Sequence, residues 1–498
     1  TTPLAEGTAI TAEPWTKSSA KRKPSGVKSE RATIRGFYSS KLGSKGRFEA
    51  LLAAEEESQP RCLLAVVVPV GCGRERGAVP DPMARVQVFQ RGAFDARRIL
   101  RIILRKNSRT LEAIMALDPI VPQPGNDRNP AHFVGRAETT TQARRRLGAG
   151  ANLLLTDPRR MGKTFWMRAF AARENGFRCY FIDYEGVHTV EGFLIRTAEA
   201  LVEGGRLPSK GLRKLKTIFN NCDIELSGPL TIKSYHRRTS PHVLLANILG
   251  TLDGSGDRGI PLVMMDEVPM AVDNIVKREG ADAAAEILQT LRALRQQAAR
   301  VRWILTGSIG FHHVLRRAGM TQGALNDLEP LPLGPLRDDE ARELARRLLL
   351  GIGRLPDDAA VVEALVEVSG GIPFLLHKVT ATLGQRHRNV FRPAEVRECF
   401  EDFIDDPDEF GWFEHYLTRV GPHYRERAEL AERVLRATLS EANDWIPVGA
   451  LPSDDGVADI LEDLTKDHYL ERCGQSIRWR YPVLQYIWAR KKAGWDRR

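Results

Sequence analysis

Asp157-Pro158-Arg159-Arg160-Met161-Gly162-Lys163-Thr164 follows directly on the apolar run from Ala151 to Thr156, and its reading decides the fold. A strand that ends in a tight loop, with a helix beginning at Phe165, points backbone N–H groups inward at an anion. The helix adds the positive end of its dipole at the same place. In this pattern Lys163 reaches the β- and γ-phosphates of a nucleotide, and the hydroxyl of Thr164 holds Mg²⁺. One letter departs, because Asp157 stands where a glycine usually opens the loop. Aspartate tolerates left-handed backbone angles better than most residues, so the turn is expected to survive, with a carboxylate mildly repulsive to phosphate. The plain alternative is an ordinary strand, turn and helix.

A second stretch completes the pattern. Ile260-Pro261-Leu262-Val263-Met264-Met265-Asp266-Glu267 is a short apolar run ending in two carboxylates. A run apolar on both faces suits a central parallel strand covered by helices, and its carboxylates then emerge at the C-terminal edge, where ligands bind in open α/β sheets. It reads as a Walker B strand. Asp266 is expected to hold Mg²⁺, directly or through water, and Glu267 to polarise an attacking water. Phosphoryl transfer depends on positioning a nucleophile in line more than on covalent help.

The whole chain bounds these readings. At 498 residues it has room for roughly three domains. With 42% hydrophobic and 28% charged residues it has the composition of a globular protein rather than a disordered one. No apolar run is long enough for a membrane span, and the N-terminus lacks a compact apolar segment with a cleavage site, so a cytoplasmic protein is expected. Six scattered cysteines without C-x-x-C pairs read as reduced thiols. The net charge of +11 favours an anionic partner, nucleic acid above all.

Residues 1–130 read as a basic N-terminal region. Thr1 to Arg47, with Lys21-Arg22-Lys23, reads as a flexible basic arm. Arg47 to Glu57 reads as a short helix, Phe94 to Leu117 as a basic amphipathic helix, and Pro119 to Pro130 as a linker. Beyond it, Arg178 to Tyr184 and Val301 to Gly307 read as further strands, with helices over Ala137–Leu147, Val190–Glu203 and Ala281–Ala299. Strands alternating with helices define an α/β fold with a parallel sheet. A Lys- and Gly-rich stretch from Gly204 to Ser240 interrupts that order. After Arg425 the expected elements are a helix over Leu430–Leu439, a connection over Ile446–Leu451, a helix over Val457–Asp467 and a hairpin over Tyr469–Tyr481 turning at Gly474. They match a winged helix-turn-helix, although the Asp459, Glu462, Asp463 and Asp467 carboxylates oppose insertion of the second helix into a DNA groove. His312-His313 lacks acidic or cysteine partners at ligand spacing in the sequence, so no metal role is expected there.

From Phe133 to about Arg490 the chain resembles the STAND branch of the AAA+ ATPases, in the prokaryotic ATP-binding group with a C-terminal winged helix. Phe133-Val134-Gly135-Arg136 resembles the segment that lies along the nucleotide base, and Arg159-Arg160-Met161-Gly162-Lys163-Thr164-Phe165 that family's loop. Leu305-Thr306-Gly307-Ser308 resembles its sensor strand, where the Thr306 or Ser308 hydroxyl detects the γ-phosphate. Gly371-Ile372-Pro373 resembles its G-x-P motif, in which Pro373 closes over the adenine. A separate stretch, Gly36-Phe37-Tyr38-Ser39-Ser40-Lys41 with Arg47-Phe48-Glu49-Ala50-Leu51-Leu52, is similar to the opening of the endonuclease subunit of heteromeric transposases. The rest of that nuclease signature does not follow, so no residue is carried over.

The resemblance implies a P-loop NTPase of AAA+-like, three-layer α/β architecture, with the ATPase core over 131–335, a helical lid over 336–424 and the winged-helix domain over 425–498. It implies a slow Mg-dependent ATPase that uses Lys163 and Glu267 and acts as a signalling or mobile-DNA-defence switch, with ATP and Mg as cofactors. The charge-stabilising arginine is sought among Arg300, Arg302, Arg316 and Arg317. Double-stranded DNA and a second copy of the chain stand as further candidate partners, and a membrane does not. Two other readings are a DNA-bound ATPase regulator of transposition or recombination, from the basic arm and the transposase-like opening, and a non-hydrolysing nucleotide-bound scaffold, from Asp157.

Overall fold

In the computed structural model, side chains are described from residue 117 to residue 492, apart from 203–210, 212, 218–239, 253–258, 309, 355–358, 387–390 and 412. Earlier in the chain only the backbone of three strands is described: β1 (Ala32–Ser39), β2 (Lys45–Glu55) and β3 (Arg61–Val67), an antiparallel sheet in the order β1-β2-β3. The helix expected over Arg47–Glu57 is therefore a strand. Its Ala, Leu and Glu favour a helix locally, but in-register pairing on both sides, Leu51 with Thr33 and with Ala65, decides the outcome. The expected basic arm begins outside the described residues and runs into β1, and the amphipathic helix over Phe94–Leu117 lies outside them except at its last residue. These strands belong to a compact unit of their own, Thr1–Ala113, and the second unit is Ile114–Arg498.

The second unit is organised by a five-stranded parallel sheet. Its strands are β4 (Asn152–Leu155), β5 (Phe177–Asp183), β8 (Ile260–Asp266), β9 (Arg302–Thr306) and β10 (Leu328–Pro330), in the order β10-β4-β9-β8-β5. Between them in sequence, β6 (Glu225–Ser227) and β7 (Thr231–Ser234) form a separate antiparallel pair within the Lys- and Gly-rich interruption. Successive side chains of a strand point to opposite faces, and here both faces are covered. Leu262 and Met264 pack with Ile304 against the helices Ala137–Gly148 and Lys163–Arg173, through Ala143, Leu147, Trp166 and Phe170. Val263 and Met265 pack on the other side with Trp303 and Leu305, beneath the helices Val190–Val202, Pro241–Leu249, Val268–Glu279, Ala281–Gln297 and Phe311–Arg317. This makes three layers, and truncating a central residue such as Met264 to alanine is expected to cost about 2–5 kcal/mol.

Four helices follow: Asp338–Gly351, Ala359–Ser369, Pro373–Gln385 and Pro393–Asp405. Their apolar faces share one continuous core with the C-terminal elements, and Val134 and Met161 enter that same core. The C-terminal elements are the helix Ala428–Ala437, β11 (Ile446–Pro447), the helix Val457–Lys466, and β12 (Leu470–Cys473) and β13 (Ser476–Trp479) turning at Gly474, then the helix Pro482–Trp488. β11, β13 and β12 form a small antiparallel sheet in that order.

The stretch read as a linker is tied down. Ile120 is fully buried, its N–H donates to the Arg347 carbonyl at 2.9 Å, and the Gln123 N–H donates to His377 Nδ1 at 3.1 Å. A side chain at Gly351 would collide with the Ile120 backbone, so this strap and the helix Asp338–Gly351 meet where only glycine fits.

Candidate functional site

Because the sheet is parallel, the ends of β4, β5, β8 and β9 emerge on one edge. Asp183 stands in register with Asp266, and Leu155 with Thr306. The loop after β4 turns through Arg160 (φ 70°) and Gly162 (φ 87°), the loop's two left-handed residues. The sequence reading put that burden on Asp157; the turn is made three residues later, where an arginine accepts it and a glycine relieves it. No side chain caps the helix Lys163–Arg173, so the N–H groups of its first turn remain available to an anion.

Asp157 faces away from that anion position. Its carboxylate is 1% exposed and accepts the N–H groups of Leu333 at 2.8 Å and Gly334 at 2.9 Å. The expected repulsion of phosphate is thereby corrected, because the negative charge is spent fastening the loop to the segment that leads into the four helices. Arg136 fastens the same junction from the other side. It is buried, with φ 61°; its guanidinium donates to the carbonyls of Leu333, Gly334 (2.7 Å) and Met161 (3.0 Å), and its N–H donates to Glu340 Oε1 at 2.5 Å. Burial lowers its pKa to about 10 against the opposing charges of Asp157 and Glu340. Gly135, at φ 75°, leaves no room for a side chain against Glu340. Val134 is buried with Met161, and Phe133 meets Phe165 edge-on at 5.3 Å.

Lys163 is 6% exposed and folds back on the loop, donating to the carbonyls of Asp157 and of Pro158 (2.9 Å). Burial lowers its pKa, and Glu267, Asp157 and Asp266 oppose that shift. Thr164 Oγ1 donates to Asp266 Oδ2 at 2.5 Å. Burial, reinforced by Glu267, pushes the Asp266 carboxyl up to about 7, while Thr164 and Lys163 pull the other way and Asp183 adds to it. Hydroxyl and carboxylate oxygens gathered this closely are a donor set for a hard divalent cation such as Mg²⁺. Glu267, at φ 55°, accepts both the N–H (3.0 Å) and the hydroxyl (2.8 Å) of Ser308. The Thr306 hydroxyl is fully buried and has no hydrogen-bond partner among the described residues.

Arg160 lies over the Phe374 ring at 4.5 Å, next to Pro373 at the head of its helix, and Arg159 is half-buried beside it in the loop. The sequence-predicted residues from Val134–Arg136, the loop, Asp266, Glu267, Thr306, Ser308 and Pro373 are thus distributed around one sheet edge and the start of one helix. The proposed arginines are placed at the other edge or held by other partners. Arg302 begins β9, at the opposite edge, where it donates to the Leu147 carbonyl at 3.0 Å, and Arg300 precedes it there. Arg316 is engaged by Asp463 at 3.0 Å, and Arg317 by Asp273 and the Pro422 carbonyl (2.9 Å).

Sequence reasoning missed three groups. Asp183 ends β5 as Asp266 ends β8, and that repeated pattern was a usable signal. His468 Nε2 lies 3.1 Å from Thr156 Oγ1, joining the C-terminal elements to the end of β4. His415 and Arg419 lie within electrostatic reach of Lys163: burial pushes His415 down to about 2, and the charges of Arg419, Arg159, Arg160 and Lys163 add to it. Arg419 itself donates to Tyr469 Oη at 2.9 Å and to the Asp467 carbonyl at 2.8 Å. No local sequence pattern announces either contact.

This architecture, an α/β core with a parallel five-stranded sheet and a phosphate-type loop after its β4 strand, is that of the P-loop NTPase fold. No family model and no curated protein matches the chain. Among solved structures, a Walker-type ATPase of Pyrococcus abyssi, PABY2304, is similar at TM-score 0.53 and 17% identity, over 74% of this chain and 99% of that one. Looser likenesses are Aeropyrum pernix ORC2 in its ADP form (TM-score 0.39, 14% identity, 74% of this chain and 97% of that one) and the Thermotoga maritima RuvB branch migration motor (TM-score 0.33, 11% identity, 72% and 96%). Among the described residues, no helix is long and apolar enough to cross a membrane.

Proposed function

We propose that this chain is an ATP-binding, slowly hydrolysing switch of the AAA+/STAND type, in which the four helices serve as lid and the C-terminal elements as a winged helix. One observation carries the reading: the loop built for phosphate is fastened to both moving parts, through Asp157 to Leu333 and Gly334 and through Thr156 to His468. A ligand shifts such an equilibrium only by binding one arrangement better than the other, and the loop that would seat a γ-phosphate carries both joints.

Lys163 and the N–H groups of the Lys163–Arg173 helix bind the phosphates, while the Val134–Arg136 segment lies along the base and Pro373 closes over it. Thr164 and Asp266 hold Mg²⁺, which when bound neutralises charge on the phosphate oxygens. Glu267 orients the attacking water and Ser308 orients Glu267. Arg419, within electrostatic reach of Lys163 and bonded to Tyr469 and the Asp467 carbonyl, is a cation that can relay the phosphate state to the C-terminal elements.

Double-stranded DNA remains a candidate effector on the net charge of +11. The acidic helix is not offered to it: Asp463 is occupied by Arg316 and Arg427 at 3.0 and 2.7 Å. ATP turnover with and without DNA separates the readings. Turnover unaffected by DNA supports an internal switch, and turnover that rises with DNA and vanishes in Glu267→Gln supports a DNA-coupled ATPase.

A further inference from the structure

His312 and His313, whose sequence surroundings offered no ligand partners, meet the end of the acidic helix in the folded chain. His312, His313 and Asp467 are 5%, 2% and 6% exposed, and one ligand atom from each lies within 4.8 Å of the others. We propose that they form a binding site for a divalent transition-metal ion, Zn²⁺ foremost, joining the core to the C-terminal elements.

The bonding pattern supports this. His312 Nε2 and His313 Nδ1 are buried and have no hydrogen-bond partner among the described residues. His312 Nε2 stands 3.8 Å from Asp467 Oδ1 and 3.6 Å from Asp463 Oδ1. Those separations are too long for hydrogen bonds, and they approach the edge of about 3.3–3.6 Å between ligands around a tetrahedral ion with bonds of about 2.0–2.2 Å. His313 Nε2 meets the other oxygen through a hydrogen bond, 2.7 Å from Asp467 Oδ2, a contact shorter than such an edge that widens by about 0.6 Å when an ion enters. Asp463 is already taken by Arg316 and Arg427, which leaves Asp467 as the carboxylate of the set.

The surroundings orient these groups. Tyr424 Oη donates to Asp467 Oδ2 at 2.8 Å, the outer hydrogen bond that a ligating carboxylate commonly receives. A side chain at Gly310 would reach within 2.4 Å of both Asp467 Oδ1 and the His312 ring, so glycine makes the approach possible. Two imidazoles with one carboxylate suit an ion of borderline softness and leave a fourth position for water. Loading exchanges the proton in the His313–Asp467 hydrogen bond for the ion, and that proton leaves to solvent. The residue after Asp467 is His468, bonded to Thr156, so an ion here stiffens the connection to the phosphate loop.

The test is titration of chelator-treated full-length protein with Co²⁺, followed by visible absorption and by Zn²⁺ competition. The site predicts one equivalent of Co²⁺ with an intense low-coordinate band that Zn²⁺ abolishes. The band is expected to persist in Asp266→Asn, which removes the oxygen-only site, and to disappear in His312→Gln, which keeps the side chain polar and of similar size. A folded wild-type protein without the band, or a band unchanged in both His312→Gln and His313→Gln, overturns the proposal.

Discussion

The carboxylate of Glu267 accepts two hydrogen bonds from Ser308, one from its N–H at 3.0 Å and one from its hydroxyl at 2.8 Å. Glu267 is held at φ 55°, a conformation that costs energy for a residue with a side chain, so its aim is set jointly by the backbone and by the end of β9. Removing the hydroxyl leaves one of the two bonds. Ser308→Ala is expected to slow ATP turnover by roughly tenfold while nucleotide affinity changes little, a kcat effect without a binding effect. Steady-state turnover and equilibrium binding of a fluorescent ATP analogue together check it; equal losses in both would assign Ser308 to binding instead.

Asp157→Gly restores the usual letter of a phosphate loop, yet it is expected to damage this protein. It removes a buried carboxylate that accepts two N–H groups and leaves Arg136 without its strongest balancing charge. A cost of about 2–4 kcal/mol is anticipated. Thermal melts of the variant without nucleotide read that cost directly. A variant as stable as wild type that binds ATP more tightly would mean Asp157 opposes phosphate after all.

Asp266 sets a pH dependence. Its carboxyl ordinarily ionises near 3.8 and is raised to about 7 in the folded chain, by burial first and then by Glu267. Between those values the folded state keeps a proton that the unfolded state has lost. The stability this contributes is complete below the unfolded value and is lost as pH rises through the folded one. Melting temperature measured in chelator without nucleotide is therefore expected to fall from about pH 4 to about pH 7 and to level off above it, and to fall less in Asp266→Asn. Identical slopes in the two proteins would contradict the assignment.

The acidic helix is predicted to act as a docking element. Asp463 is 2% exposed and receives Arg316 from the core and Arg427 from the segment before the Ala428–Ala437 helix. Arg316 is half-exposed, which discounts the loss, so Asp463→Asn is expected to destabilise by about 1–3 kcal/mol. Hydrogen exchange should quicken in the Val457–Lys466 helix before it does in β8. Uniform quickening across the chain would indicate general destabilisation rather than undocking.

What the sequence made legible was whatever repeats along the chain. Apolar runs ending in carboxylates located β8 and its site, and the helix expected over Val457–Asp467 ends one residue earlier, at Lys466. Direction and distant pairing were not legible. Asp157 could be placed in the loop but not aimed, because its partners lie more than 170 residues away, at Leu333 and Gly334. Arg316 and Arg317 carry charge that fits a phosphate equally well, and only the fold shows that Asp463 and Asp273 claim them. In Arg47–Glu57 local propensity favoured a helix, and pairing with two neighbouring strands overrode it.

The central claim is that Lys163, Asp266 and Glu267 form a working ATPase site. Mg-dependent ATP turnover by the full chain, measured beside Lys163→Ala and Glu267→Gln, tests it most directly. Turnover is expected in wild type, with loss of ATP binding in Lys163→Ala, and retained binding with turnover reduced at least about 100-fold in Glu267→Gln. Turnover in Glu267→Gln equal to wild type, or ATP binding undiminished in Lys163→Ala, would contradict it.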